Sequence, residues 1–216
     1  MKLLVVGVRG LGAFVARHFA ALGWEVVCAA RTRATVDALA AEVSGRALVL
    51  DLGDPATLAP LAQETLDLVV AAQTSAARFE VKAVLETDPE QLRLRFEGYP
   101  LATLRLLQAV APALSSGGTF VQIGTTLAAR ARPGFGAMHA AQHATRALLS
   151  AAAEELRPRG IHVAYLAVEG QIATPGSADW IARHGATRAI EPAAICAELQ
   201  RLHAEPPSAW TNEARL

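Results

Sequence analysis

Cysteine, net charge and long hydrophobic runs are all scarce in this sequence, and each scarcity closes off a class of function. Only two cysteines occur. Cys28 falls in an apolar run and Cys196 in an apolar helical pattern, outside any metal-ligand or redox spacing, so they read as small core residues of a reducing cytosol. Twenty basic residues balance twenty acidic ones, which leaves no net charge to recruit nucleic acid or an anionic membrane. No segment reaches the roughly 18 uninterrupted apolar residues of a membrane span, so a soluble, cytoplasmic protein is expected. Lys2 followed by apolar residues mimics a secretory signal, but Gly7 and Arg9 break the run at once and no small-residue cleavage site follows. Internal repeats and low-complexity linkers are missing as well.

What remains is 216 residues, 52% hydrophobic and 19% charged, the balance of one soluble domain spanning 1–216 around one sizeable core. The first thirty-one residues organise it. An unbroken apolar run over 3–6 suits a strand buried on both faces. Gly7, Gly10 and Gly12 follow, then Phe14, Val15, Phe19 and Leu22 at helical spacing, Gly23 as a stop, and a second apolar strand over 25–30. This is a βαβ unit with glycines where a strand hands over to a helix N-terminus, a place suited to a pyrophosphate.

The alternation continues. Thr32 caps a helix through Val43, and Gly45 closes it. A third strand over 46–50 ends at Asp51, Asp54-Pro55 opens another helix, and a fourth strand covers 66–72. A long helix from Thr87-Asp88-Pro89 to about Leu114 has Leu92, Phe96, Leu104, Leu107 and Val110 on its buried side and a kink at Pro100. A turn over 115–118, a fifth strand over 119–123, a loop over 128–136 and an Ala-rich helix to about Gly160 come next. A sixth strand covers 161–168, a loop 169–176, a helix 192–203, and a short last strand 209–211. Strands and helices alternating at this interval predict a single doubly wound α/β domain with a mostly parallel, six- or seven-stranded sheet.

Gly10-Leu11-Gly12, Asp51-Leu52, the run 153–163 and the final stretch 191–213 together resemble a short-chain dehydrogenase/reductase, over nearly the whole chain and with the look of a bacterial branch. The glycines are spaced GxxGxG, one residue tighter than the family's GxxxGxG. The resemblance implies a dinucleotide held by Gly7, Arg9, Gly10, Leu11 and Gly12, an adenine near Asp51 and Leu52, and Ala71 and Ala72 standing where the family's NNAG begins. NAD-selective members carry an acidic residue after the second strand. Here Arg31 holds that place, and with Arg9 it could clamp a 2′-phosphate, so NADP(H) is favoured over NAD(H).

The resemblance also implies a Ser, a Tyr and a Lys four residues later, and these are missing. Thr125 falls at the Ser position. Counting from 155–160 puts Met138 and Gln142 at the Tyr and Lys positions, whereas counting from Gly170 puts His139 and His143 there; the helix anchors lie nearer and favour the first. The family's Asn in the long helix is Tyr99, which is either a phenol from another wall or a packing aromatic. Zinc held by His139 and His143 lacks a third ligand and the Glu of HExxH, so no metal is expected. Two functions stay open. One is an NADP(H)-dependent oxidoreductase of a small carbonyl or alcohol, with Thr125 holding the oxygen and His139, His143 or Tyr99 moving the proton. The other is a noncatalytic dinucleotide-binding sensor or partner subunit without a substrate. In either case a homodimer or homotetramer is implied, built through the long helices.

Overall fold

The apolar runs become strands covered on both faces. The computed structural model describes residues 1–178, 181–182 and 189–216. In chain order the strands are β1 (Lys2–Val6), β2 (Glu25–Ala30), β3 (Arg46–Val49), β4 (Leu66–Ala71), β5 (Leu114–Thr125), β6 (His162–Val168), β7 (Gln171–Ile172), β8 (Ala189–Ile190) and β9 (Glu213–Arg215). The helices are α1 (Leu11–Ala21), α2 (Arg33–Glu42), α3 (Pro55–Leu58), α4 (Pro89–Phe96), α5 (Ala102–Val110), α6 (Gly136–Leu156) and α7 (Pro192–Ala204). Seven strands form one sheet in the order β3-β2-β1-β4-β5-β6-β9, and every neighbouring pair is parallel. This is a doubly wound, Rossmann-like α/β fold, as the alternation predicts.

Strand alternation divides the core into two layers. Leu3 and Val5 point to the side packed by α1, α2 and α7, with Val15, Phe19, Val36 and Leu199. Leu4 and Val6 point to the opposite side, with Leu106, Val110, Leu149 and Phe120. Each such side chain taken out of water stabilises the fold by about 1.5–3 kcal/mol. The central strands are therefore covered on both faces, and the ligand site is left at the strand ends.

Local chemistry sets most boundaries. Asp54 accepts from the Ala56 N–H at 3.0 Å and Asp88 from the Glu90 N–H at 2.9 Å, each just ahead of a proline in the first turn. Thr32 begins α2 in extended backbone but makes no side-chain capping bond.

Several expectations need correction. Phe14 and Leu22 are exposed at 38% and 51%, while Leu11 and Ala16 are buried, so the inner stripe of α1 is Leu11, Val15, Ala16 and Phe19. Phe14 lies instead under the Arg17 guanidinium on the outer face, 6.0 Å from ring centroid to carbon. The kink at Pro100 is a π turn, Glu97–Leu101, joining α4 to α5. One extra residue rotates everything after it by roughly 100°, which buries Ala102, Thr103, Leu106, Leu107 and Val110 and leaves Leu104 half-buried. The turn at 115–118 lies inside β5 as an excursion that shifts its register against β4. The last strand sits at Glu213–Arg215, after a 3₁₀ turn at Pro207–Ala209. The pairing of β7 with β8 had no sequence signal. No helix among the described residues is long and apolar enough to cross a membrane.

Candidate active site

At the C-terminal end of β1 the chain turns through Gly7, with φ of +91°. A side chain there would strike the Ala72 carbonyl oxygen at 2.6 Å and the Gln73 nitrogen at 2.8 Å, so the turn can pass the end of β4 only as glycine. Gly12 opens α1 hard against this turn, since a Cβ would lie 2.0 Å from the Gly7 carbonyl oxygen. Its role is helix-to-strand packing. Gly10 precedes α1 at φ of +55° and no side chain caps the helix, which leaves its first N–H groups and positive dipole end open to an anion. The Thr174 side chain lies over Gly10, with Oγ1 3.6 Å from where a Cβ would stand.

Beside the turn is a cleft of about 220 Å³. Gly7, Arg9, Arg31, Asp51, Leu52 and Ala72 line it, which brings together six of the residues anticipated for a dinucleotide. Leu11 is buried in the first turn of α1, and Ala71 ends β4, where its carbonyl accepts from the Gln122 amide at 3.0 Å. Arg9 and Arg31 are exposed, and neither forms an ion pair or hydrogen bond with a described residue. The Asp51 carboxylate accepts from the Gly53 N–H at 2.9 Å and so shapes its own turn.

A second cluster surrounds Thr125, the last residue of β5. The Tyr165 phenol, from β6, accepts from the Thr125 N–H at 2.9 Å and lies 3.1 Å from the Thr125 carbonyl and 3.0 Å from Gln142 Oε1. Gln142 is 4% exposed and Tyr165 1%. Burial pushes the Tyr165 phenol up to about 12. Burial also raises the half-buried Tyr99 phenol, against hydrogen bonds from the Ser75 backbone and the Gln142 side chain and the Arg95 charge. Gln142 thus meets Tyr165 and, through it, Thr125. The Thr125 hydroxyl accepts from the Leu127 N–H at 3.3 Å and keeps its own proton to donate.

The histidines do different work. His139 Nδ1 donates to the Leu127 carbonyl and His143 Nδ1 to the Ala128 carbonyl at 2.9 Å. Because a carbonyl only accepts, both rings carry their proton on Nδ1, and both pin the turn after Thr125 to α6. His143 is exposed, whereas Gln142 faces the sheet. Of the residues reached by the two ways of counting, Gln142 meets Tyr165, Met138 lies against Arg95 of α4, and His139 and His143 hold the turn. No group of three His, Cys, Asp or Glu side chains that could hold a metal occurs among the described residues.

Sequence reasoning missed three residues here. Tyr165 lies in a mostly apolar strand and reads as core, yet a Cβ on Gly124 would sit 2.1 Å from its phenol oxygen; a glycine one strand over makes room for the ring. Gln73 donates to Thr103 Oγ1 at 3.2 Å and Gln122 Oε1 at 3.1 Å, while its own Oε1 is buried without a partner at the cleft. Arg95 reads as a surface arginine but is 5% exposed.

Comparisons with known proteins agree with this architecture. A family model described as enoyl-(acyl carrier protein) reductase matches residues 5–200. An uncharacterized oxidoreductase of Mycobacterium tuberculosis (strain CDC 1551 / Oshkosh) is 32% identical over 174 residues, 74% of this chain and 65% of the relative. The match therefore spans slightly less than two thirds of that relative's length. A short-chain dehydrogenase from Rhodopseudomonas palustris superposes with a TM-score of 0.78 at 26% identity, covering 100% of this chain and 97% of the other. BdcA in complex with NADPH superposes with a TM-score of 0.83 at 20% identity, covering 100% and 91%. With glycine turn, strand order and near-complete coverage in accord, the chain belongs to the short-chain dehydrogenase/reductase family.

Proposed function

We propose that the chain is an NADP(H)-dependent oxidoreductase of a small carbonyl or alcohol, with a nonstandard group handling the proton. The observation that carries this reading is the pair Arg9 and Arg31, two guanidinium groups on one cleft with no carboxylate partner among the described residues, next to an uncapped helix N-terminus. That arrangement fits a pyrophosphate with a further phosphate beyond it. Similar folds hold NADPH in BdcA and NAD in a 3-oxoacyl-[acyl-carrier protein] reductase from Brucella melitensis, so the preference for NADP(H) rests on the arginines.

A bound nicotinamide supplies or takes up the hydride. Thr125 donates its hydroxyl to the substrate oxygen and orients it. Tyr99 passes the proton from the π turn that joins α4 to α5. His139 and His143 hold the turn at 126–128, which keeps Thr125 in place. As part of the same reading the chain forms a homodimer or homotetramer through its long helices, which light scattering checks.

The test is a titration with NADPH and NADH followed by a screen of carbonyl substrates. NADPH is expected to bind more tightly, and Tyr99→Phe to abolish turnover while leaving cofactor affinity unchanged. A second reading has its own observation in favour. Met138 and Gln142 carry no titratable group, and Tyr165 holds its proton to about 12, which suits a noncatalytic dinucleotide sensor. NADPH binding without turnover of any substrate selects that reading, and no binding of either dinucleotide at submillimolar concentration removes both.

A further inference from the structure

The cleft beside the glycine turn carries both signs of charge. Besides Arg9 and Arg31 it is lined by the apolar Leu52, Leu94 and Ala102 and by two acidic side chains, Asp51 and Glu97. Carboxylates repel phosphate, so the phosphates of a dinucleotide belong with the arginines and its uncharged ring with Asp51 and Glu97. Asp51 already spends Oδ1 on the Gly53 N–H at 2.9 Å.

Glu97 is the first residue of the π turn, and its carboxylate is held there. Arg105 Nη1, from α5, donates to Glu97 Oε1 and lies 3.5 Å from the Leu52 carbonyl oxygen. One nitrogen thus ties the π turn to the turn after β3, and the Glu97 carboxylate stands within two hydrogen-bond lengths of Leu52. A Cβ on Gly98 would lie 2.5 Å from Ser75 Cα, so the π turn also packs backbone to backbone on the chain leaving β4. The second carboxylate oxygen, Oε2, has no hydrogen-bond partner among the described residues, and the side chain is 40% exposed, which leaves it within reach of a ligand in the cleft. A carboxylate only accepts. A ring edge that meets it must present an N–H, because a carbonyl oxygen in that place sets acceptor against acceptor.

We propose that Glu97 selects the base of the nucleotide, its Oε2 accepting from the exocyclic amine of adenine and turning away a base that carries a carbonyl oxygen there. Arg105 fixes the carboxylate through its other oxygen, so little side-chain freedom is left to lose when the ligand binds. This rests on the dinucleotide reading for the ligand, and adds to it a residue from an element outside the glycine turn and the strand ends.

The test is calorimetric titration of the full chain with NADPH and with its hypoxanthine counterpart, in which a carbonyl oxygen replaces the amine, and with AMP and IMP as the shorter pair. Each amine is expected to bind about 10-fold or more tightly than its carbonyl partner, the scale of a hydrogen bond to a charged group. Glu97→Gln is expected to bring that ratio down to about threefold or less, because an amide can donate to a carbonyl oxygen as well as accept from an amine. Glu97→Ala, which removes the group outright, should do the same, and it carries the test alone if the glutamine variant does not fold. A ratio near one in the wild type overturns the proposal. So does a ratio that survives both substitutions, which assigns the selection to Asp51, or an equal loss of affinity for amine and carbonyl forms, which is the mark of a merely structural Glu97–Arg105 pair. If NADPH binds without a base preference, the role of Glu97 fails and the cofactor reading stands. A preference for AMP that depends on Glu97, without binding of either dinucleotide, gives the reverse, and no binding of any nucleotide overturns both.

Discussion

Tyr165 and Gly124 act as one unit although they lie on different strands. The ring occupies the volume that any side chain at 124 would need, and the phenol satisfies the Thr125 N–H while meeting Gln142. Tyr165→Phe leaves those buried groups short of a partner, a loss of about 1–3 kcal/mol measurable by urea denaturation. Gly124→Ser should be strongly destabilising in the wild type and far less so with Tyr165→Ala, a coupling of about 0.5–3 kcal/mol in a double-mutant cycle. Arg31 lines the cleft, exposed and without a hydrogen-bond or ion-pair partner among the described residues. Arg31→Ala is expected to weaken NADPH binding about 10- to 100-fold, as one or two charge-assisted hydrogen bonds are lost, and to leave NADH affinity within about twofold. A fluorescence titration reads both, and equal losses for the two cofactors would remove Arg31 from the phosphate site.

Elements meet through backbone as well as side chains. Gly12 lets α1 start against the Gly7 carbonyl, and the added methyl of Gly12→Ala has nowhere to go but into backbone. Overpacking of this kind costs about 1–3 kcal/mol, so a lowered melting temperature is expected together with weaker dinucleotide binding, because the helix N-terminus must move off the turn. The π turn at Glu97–Leu101 is the other decisive element. It answers the missing N–H of Pro100 and sets which faces of α4 and α5 look inward, burying Leu106 in the core. Sequence periodicity carried across Pro100 without that extra residue puts Leu104 inward and misses Leu106.

The whole molecule is closed around its sheet, and its acid response follows. His162 enters β6 fully buried, donates through Nε2 to the Thr211 carbonyl at 3.0 Å and stacks on Trp210 at 5.1 Å. Burial lowers its pKa below 6.5, and burial does the same to His203. Between the lowered folded-state values and the unfolded value of about 6.5 the unfolded chain binds more protons, so stability falls as pH drops through that window. Urea midpoints are expected to be flat from about pH 7 to 8 and to decline below about pH 6.5, with a shallower decline in His162→Gln. A midpoint that rises on acidification would contradict this. The thiols of Cys28 and Cys196, pushed by burial to about 11, are unreactive at those pH values and do not complicate the measurement.

The sequence by itself determined the βα alternation, the glycine turn and the cleft residues Gly7, Arg9, Arg31, Asp51, Leu52 and Ala72. Strand runs, helix stops and glycines are local constraints, each enforced by backbone sterics and capping within a few residues. Only the tertiary structure decided that Gln142 meets Tyr165, that His139 and His143 brace a turn, that Tyr165 bonds Thr125, that Gln73 bonds Thr103, and that Arg95 is buried. Those outcomes depend on contacts between strands and helices far apart in the chain: a phenol on β6 fits because β5 has a glycine beside it, and a guanidinium on α4 is buried because α6 covers it. Periodicity can say that a residue faces inward, but what it meets there is set by how the elements pack.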